Sequence, residues 1–216
     1  MGYFNTDNKV WLTQSNLKEM QEQVEKVMEY VNAQKNYNHS NQDAQRNGFM
    51  CELIARKLLR EPLELAVGID PGYDIAHQPT DSKTGALLPE VHIDVKACRI
   101  YDRWTDHTKQ FHDLRIHRPK MSLPPDFVYV FISATDDPQT FVVEGACTQG
   151  ELLKGLKAQE EYETRFDLKN PDLPQYYEKG SFYRGIAFDN NVIVVPNKWL
   201  PWQGILGMHL CIKRVR

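Results

Sequence analysis

PEVHIDVKACR, residues 89–99, alternates residue by residue. Val91, Ile93, Val95 and Ala97 are apolar, and His92, Asp94, Lys96 and Cys98 fall between them. Successive side chains of a β-strand point to opposite faces. The stretch therefore predicts a strand with one oily face and one face that carries an acid beside an amine.

The flanking segments supply the rest of a sheet. DFVYVFISA (126–134) is a strongly apolar run and predicts a central strand. TFVVEGA (140–146) follows it after a TDDPQ turn, the pattern of an antiparallel hairpin. Thr148 with Glu151 three residues on makes a capping box, which opens a helix reaching about residue 163. Upstream, LAVGI (65–69) and YDIAH (73–77) are strand candidates, and turn-rich QPTDSKTGALLP separates the second from the opening strand. Residues 44–60 predict a helix capped by Asp43, with Met50, Cys51, Ile54, Ala55, Leu58 and Leu59 in one apolar arc. Glu52 lies at the edge of that arc, where it either reaches water, pairs with Arg56 one turn on, or points to a charged site.

An earlier helix over 15–33, with Ser15 available as its cap, carries a stripe of Leu17, Met20, Val24, Val27 and Val31. The stripe reads as a face laid on the chain's own domain, with a dimer seam as the alternative. A polar, Asn-rich connector follows, and no internal repeat is present. Late in the chain, YRGIAF and NVIVVP predict strands or edges, and PNKWLPW places two half-buried Trp rings. The order of elements predicts an α/β fold with a central mixed sheet flanked by helices, divided as an N-terminal helical extension, 1–42, and a main domain, 43–216.

Composition narrows the class. The chain has 216 residues, 41% of them hydrophobic and 25% charged, which suits a globular domain with a real core. A net charge of -3 disfavours a nucleic-acid partner only weakly, because a local basic patch outweighs the total. Cys51, Cys98, Cys147 and Cys211 are scattered without a CxxC pair, which predicts reduced thiols in a cytoplasmic protein. No run approaches the roughly 20 apolar residues of a membrane span, and no secretion signal opens the chain. Gly2 and Thr6 match a myristoylation pattern, without the polybasic support that would give it weight.

Asp94 and Lys96 share a strand face, and Asp74 lies in the strand candidate that precedes theirs. If the two strands pair, the two carboxylates converge, and they repel unless a positive charge stands between them. Oxygen ligands of this kind suit a hard divalent cation, and an ammonium alongside completes the requirements of phosphodiester hydrolysis. Glu52 on the preceding helix adds another acid.

Glu52 on a helix, GYDI with Asp74, and IDVKAC with Asp94 and Lys96 together resemble the PD-(D/E)xK nuclease superfamily. The resemblance covers roughly residues 43–163 and implies a restriction-endonuclease-like core of α-β-β-β-α-β order. It implies a magnesium-dependent endonuclease acting on DNA, of restriction or phage/mobile-element type, with manganese able to substitute. By the same analogy Asp74, Asp94 and the main-chain carbonyl of Val95 are magnesium ligands, Lys96 is the catalytic lysine, and Glu52 is the helix acid and a further ligand. Tyr73 stands where the family usually has Pro, and Asp70 in IDPG is a rival first ligand. Asp74 is preferred because it sits in a strand pattern, whereas Asp70-Pro71-Gly72 is turn chemistry.

Residues 96–120 hold seven Lys or Arg against three acids, with Tyr101, Trp104 and Phe111 interleaved. Cations track phosphates and aromatic rings stack on bases, so Arg99, Arg103, Lys109, Arg115, Arg118 and Lys120 are candidate DNA contacts. His107, His112 and His117 are five apart, a spacing that does not gather them around zinc. His92 shares the face of Asp94 and Lys96 and could touch a phosphate. Cutting both strands of a duplex requires two sites, which predicts a homodimer. The competing readings are a catalytically inactive DNA-binding or protein-interaction module on the same fold, and a regulatory protein that dimerises through the 17–31 stripe.

Overall fold

In a computed structural model of the chain, residues 8–33, 42–65, 72–81, 83–99, 113–183 and 186–214 are described. The opening stretch forms β3 (Val91–Arg99), preceded by β1 (Lys9–Trp11), α1 (Gln14–Ala33), α2 (Gln42–Leu59) and β2 (Ile75–His77). After it come β4 (Asp113–His117), β5 (Val128–Ala134), β6 (Thr140–Thr148) and α3 (Gln149–Phe166). The chain closes through β7 (Gln175–Tyr177), β8 (Phe182–Tyr183), β9 (Ile186–Ala187), β10 (Val192–Pro196), a single 3-10 turn, β11 (Trp202–Gln203) and α4 (Gly204–Arg214).

The main sheet runs β1-β6-β5-β3-β2, with β11 also on β6. It is mixed: β3 lies parallel to β5 and antiparallel to β2, and β5 with β6 forms the expected antiparallel hairpin. Every residue of β5 is buried, as a strand covered on both faces requires. On one face Ile93, Val95, Val128, Val130 and Ile132 pack against Met20, Val24, Val27 and Met28 of α1, Ile54 of α2 and Met208 of α4. The α1 stripe is thus buried in the chain's own core. On the other face Tyr129 and Phe131 meet Leu152 and Leu156 of α3 and a second sheet, β4-β10-β7, through Leu114, Ile116, Ile193 and Val195. Asp94 and Lys96 stand beside Tyr129 and Phe131 in the parallel register, so they belong to this second face.

Two expectations are corrected. Thr13, not Ser15, caps α1, since its hydroxyl accepts from Asn16 N at 3.2 Å. Asp43 lies inside the first turn of α2 rather than at its cap, because the helix begins at Gln42. The basic stretch ends in β4, which pairs with β10 and buries Leu114 and Ile116. The strand candidate at 66–69 and the segment holding Arg103, Lys109, His107 and His112 lie outside the described residues, as do Gly2 and Thr6.

Candidate active site

The acids meet where β2 stops. The pairing of Ile75 with Ile93, run back by one residue, sets Asp74 against Asp94 across the two strands. There the ladder changes character, because Asp74 N donates to Ile93 O at 2.9 Å while Val95 N donates to the Asp74 carboxylate, Oδ2, at 2.6 Å. A side chain thus replaces the backbone acceptor that a longer β2 would have supplied. The N–H and C=O of one strand residue point to the same edge, so the Val95 carbonyl faces the Asp74 side as well.

Arg56 fixes the third side of Asp74. Its Nη2 donates to the Asp74 carbonyl at 2.6 Å, and its Nε donates to Glu52 Oε1 at 2.9 Å, within the pairing one helical turn apart that the sequence allowed. Glu52 is buried, and its side chain and that of Arg56 retain only 11% and 13% exposure, so the pair is held in a dry setting. On the strand face above, Lys96 Nζ stands 2.7 Å from Asp94 Oδ2, with both side chains mostly covered. Tyr73 stacks on His92, ring centres 4.0 Å apart and planes 10° from parallel, and His92 Nε2 lies 3.0 Å from Glu90 Oε1.

The electrostatics are those of crowded negative charge. Burial, the Asp94 carboxylate and the Glu52 carboxylate push Asp74 up to about 7, against the opposing pull of the Val95 N–H and Lys96. Burial also raises Glu52, with Arg56 pulling it down and Asp94 adding to the rise. Each acid feels another, so Glu52, Asp74 and Asp94 lie within one electrostatic neighbourhood, with Lys96 and Arg56 as local counter-charges.

Carboxylate oxygens and a main-chain carbonyl are hard ligands, and magnesium commonly takes only one or two carboxylates, completing its shell with phosphate and water. Asp74, Asp94 and Val95 O fit that chemistry. Among the described residues no group of three or more His, Cys, Asp or Glu side chains is arranged to hold a metal ion, consistent with acids tied instead to Lys96, Arg56 and the Val95 amide.

Of the candidate DNA contacts, Arg115, Arg118 and Lys120 are described. Arg115 sits on β4 with its guanidinium 5.6 Å from the Phe188 ring centre. Arg118 Nε donates to Asn190 Oδ1 at 3.1 Å. Partial burial, with the charges of Arg115, Lys96 and Arg118 adding to it, holds His117 below the usual imidazole range. Arg99 ends β3 and its side chain is not described, and Arg103, Lys109 and Asp70 lie outside the described residues.

Sequence reasoning missed Tyr129 and Gln149 beneath the site, where Tyr129 Oη donates to Gln149 Oε1 at 3.0 Å. Both sit in stretches whose patterns speak only of a strand and a helix start. No described helix is long and apolar enough to cross a membrane. Comparison with protein-family models, with curated proteins and with solved structures finds no match for this chain.

Proposed function

We propose that the chain is a metal-dependent endonuclease that hydrolyses phosphodiester bonds in DNA, on a restriction-endonuclease-like core of the PD-(D/E)xK kind. The observation that carries the reading is the crowding of Asp74, Asp94 and Glu52 around the end of β2, with Lys96 2.7 Å from Asp94 on the same strand. Burial, with the Asp94 and Glu52 carboxylates adding to it, pushes Asp74 up to about 7, a rise that a cation would relieve. Asp74, Asp94 and the carbonyl of Val95 would hold magnesium, with Glu52 behind them. When bound, the ion supplies charge to a phosphodiester and acidifies a water.

The chain's own groups do the remaining work. The Val95 amide and the Arg56 guanidinium fix Asp74 through its side chain and its carbonyl, so one acid is preorganised. Lys96 offers an ammonium to orient the attacking water or to balance charge gathering at phosphorus. Arg115, Arg118 and Lys120 would follow the backbone of the duplex, and a homodimer would present one site to each strand.

The test is nicking of supercoiled plasmid in magnesium by the wild type, by Asp94→Ala and by Lys96→Ala. Cutting by the wild type that both substitutions abolish supports the site, and cutting that survives both removes it. A second reading has its own support: Lys96 is engaged by Asp94, and no described three-acid group is arranged for a metal. A non-catalytic DNA-binding module on the same fold would bind duplex with strong salt dependence and leave plasmid intact.

A further inference from the structure

The turn after β4 is fastened to the body of the protein more firmly than a loop of its exposure needs. Arg118, at φ 51°, donates its N–H to Asn191 O at 2.9 Å. Gln149 N donates to Phe127 O at 2.7 Å, and Gly150 N donates to Pro125 O at 2.9 Å. Between these anchors Gln149 Nε2 reaches the carbonyls of Lys120 and Met121, at 3.4 Å each. Gln149 is 1% exposed, and its Oε1 is held by the hydroxyl of Tyr129, itself 1% exposed. A buried carboxamide whose oxygen is already held can turn its nitrogen in only one direction.

That direction sets the backbone of Lys120, whose ammonium lies beside Gly72. A Cβ built on Gly72 would lie 3.3 Å from Lys120 Nζ. Gly72, at φ +90°, is two residues before Asp74. Tyr129 stands beside Asp94 in the parallel register of β3 and β5, which joins the buried network to the site.

We infer that Lys120 is a fixed phosphate-binding group at the mouth of the acid site, and that Gln149 is the residue that positions it. With Lys96 on the Asp94 side and Lys120 on the Gly72 side, cations flank the acids from two directions. The ligand class is the phosphodiester backbone of duplex DNA, gripped on both sides of the bond that the acids would address. The inference deepens the nucleic-acid part of the proposed function, and it does not depend on cleavage.

Fluorescence anisotropy of the full chain on a labelled DNA duplex, in EDTA and over a series of salt concentrations, tests it. Lys120→Ala is expected to reduce the slope of log affinity against log salt by about 0.9, the value of one phosphate contact. Lys120→Arg is expected to restore it. Gln149→Met, similar in volume but without either amide bond, is expected to weaken binding about fivefold in the wild type and to have no effect in the Lys120→Ala background. An unchanged slope in Lys120→Ala, an equal Gln149→Met loss in both backgrounds, or an absence of salt-dependent binding would each overturn the inference. Should Gln149→Met fail to fold, the Lys120 salt series and its arginine rescue decide the question. Duplex bound in this manner yet never nicked in magnesium would sink the nuclease reading and leave the Lys120 assignment standing.

Discussion

Two regions of this molecule hold acids away from bulk water, and they do so in opposite ways. At the start of α3, Glu151 is a single carboxylate with donors matched to both oxygens. Oε2 accepts from Thr148 N at 2.9 Å and Oε1 accepts from Trp202 Nε1 at 3.0 Å, while Thr148 Oγ1 accepts from Glu151 N at 3.1 Å. Its charge also suits the positive end of the helix. At the end of β2, burial and the neighbouring Asp94 and Glu52 carboxylates push Asp74 up, and the resident donors do not cancel the rise. An acid that the fold needs comes singly and with its partners supplied. Acids gathered beyond that need are what the proposed cation site would account for.

The contrast can be broken most decisively through activity. Asp94→Ala is expected to lower plasmid nicking by about a thousandfold, whereas Glu151→Gln, which keeps an acceptor for Trp202, is expected to nick as the wild type does. Equal losses in the two variants would mean that nicking follows stability rather than site chemistry. The next largest effect is on folding. Glu52→Ala leaves Arg56 nearly buried without its carboxylate and is expected to cost about 3–5 kcal/mol in urea unfolding. A cost below about 1 kcal/mol would show that Arg56 finds water instead.

A smaller effect sharpens the electrostatic side. Asp74 is raised in the folded state, so its contribution to stability is present below the unfolded value near pH 4 and is lost as pH rises through about 7. Asp74→Asn keeps an acceptor for the Val95 amide. It is expected to melt about 3 °C above the wild type at pH 8 and level with it near pH 4, by calorimetry. Magnesium at pH 8 should raise the wild-type melting temperature more than that of the variant. Parallel pH curves for the two proteins would show that the crowding is not felt. The smallest effect belongs to the ordinary region: Thr148→Ala removes the cap of α3 and is expected to cost about 1 kcal/mol in denaturant unfolding without altering any dependence on magnesium.

What could be read from the chain follows the strength of local patterning. Alternation in β3, the unbroken apolar run of β5, the turn before β6 and the Thr148–Glu151 box all speak within a few residues, and each corresponds to an element in place. The α/β class and the mixed sheet follow from them. β4 was hidden because the polar Arg115 and His117 flank Ile116, and only its pairing with β10 reveals that Leu114 and Ile116 face inward. α4 was hidden by its glycines, which lower helix propensity. Gly207 is required because a Cβ there would come within 2.5 Å of the Trp202 carbonyl carbon, and such closeness leaves no trace in periodicity.

The site divides in the same manner. Asp94 and Lys96 were legible from alternation alone, and Glu52 with Arg56 from helical spacing. The approach of Asp74 to Asp94 depends on strand register across an intervening excursion, which only pairing can decide. Gln149 could not be found at all, since a polar residue at a helix start is ordinary until Tyr129 and the Lys120 carbonyl are seen around it.

One rung of the β2–β3 ladder is a carboxylate rather than a peptide group. The margin of the sheet and the chemistry proposed for it therefore share an oxygen atom. A ligand that draws on this oxygen tugs on the backbone of β3, and a change that frays the strand edge disturbs the ligand. Reshaping this border by extending β2 would silence the site without altering a single one of its side chains.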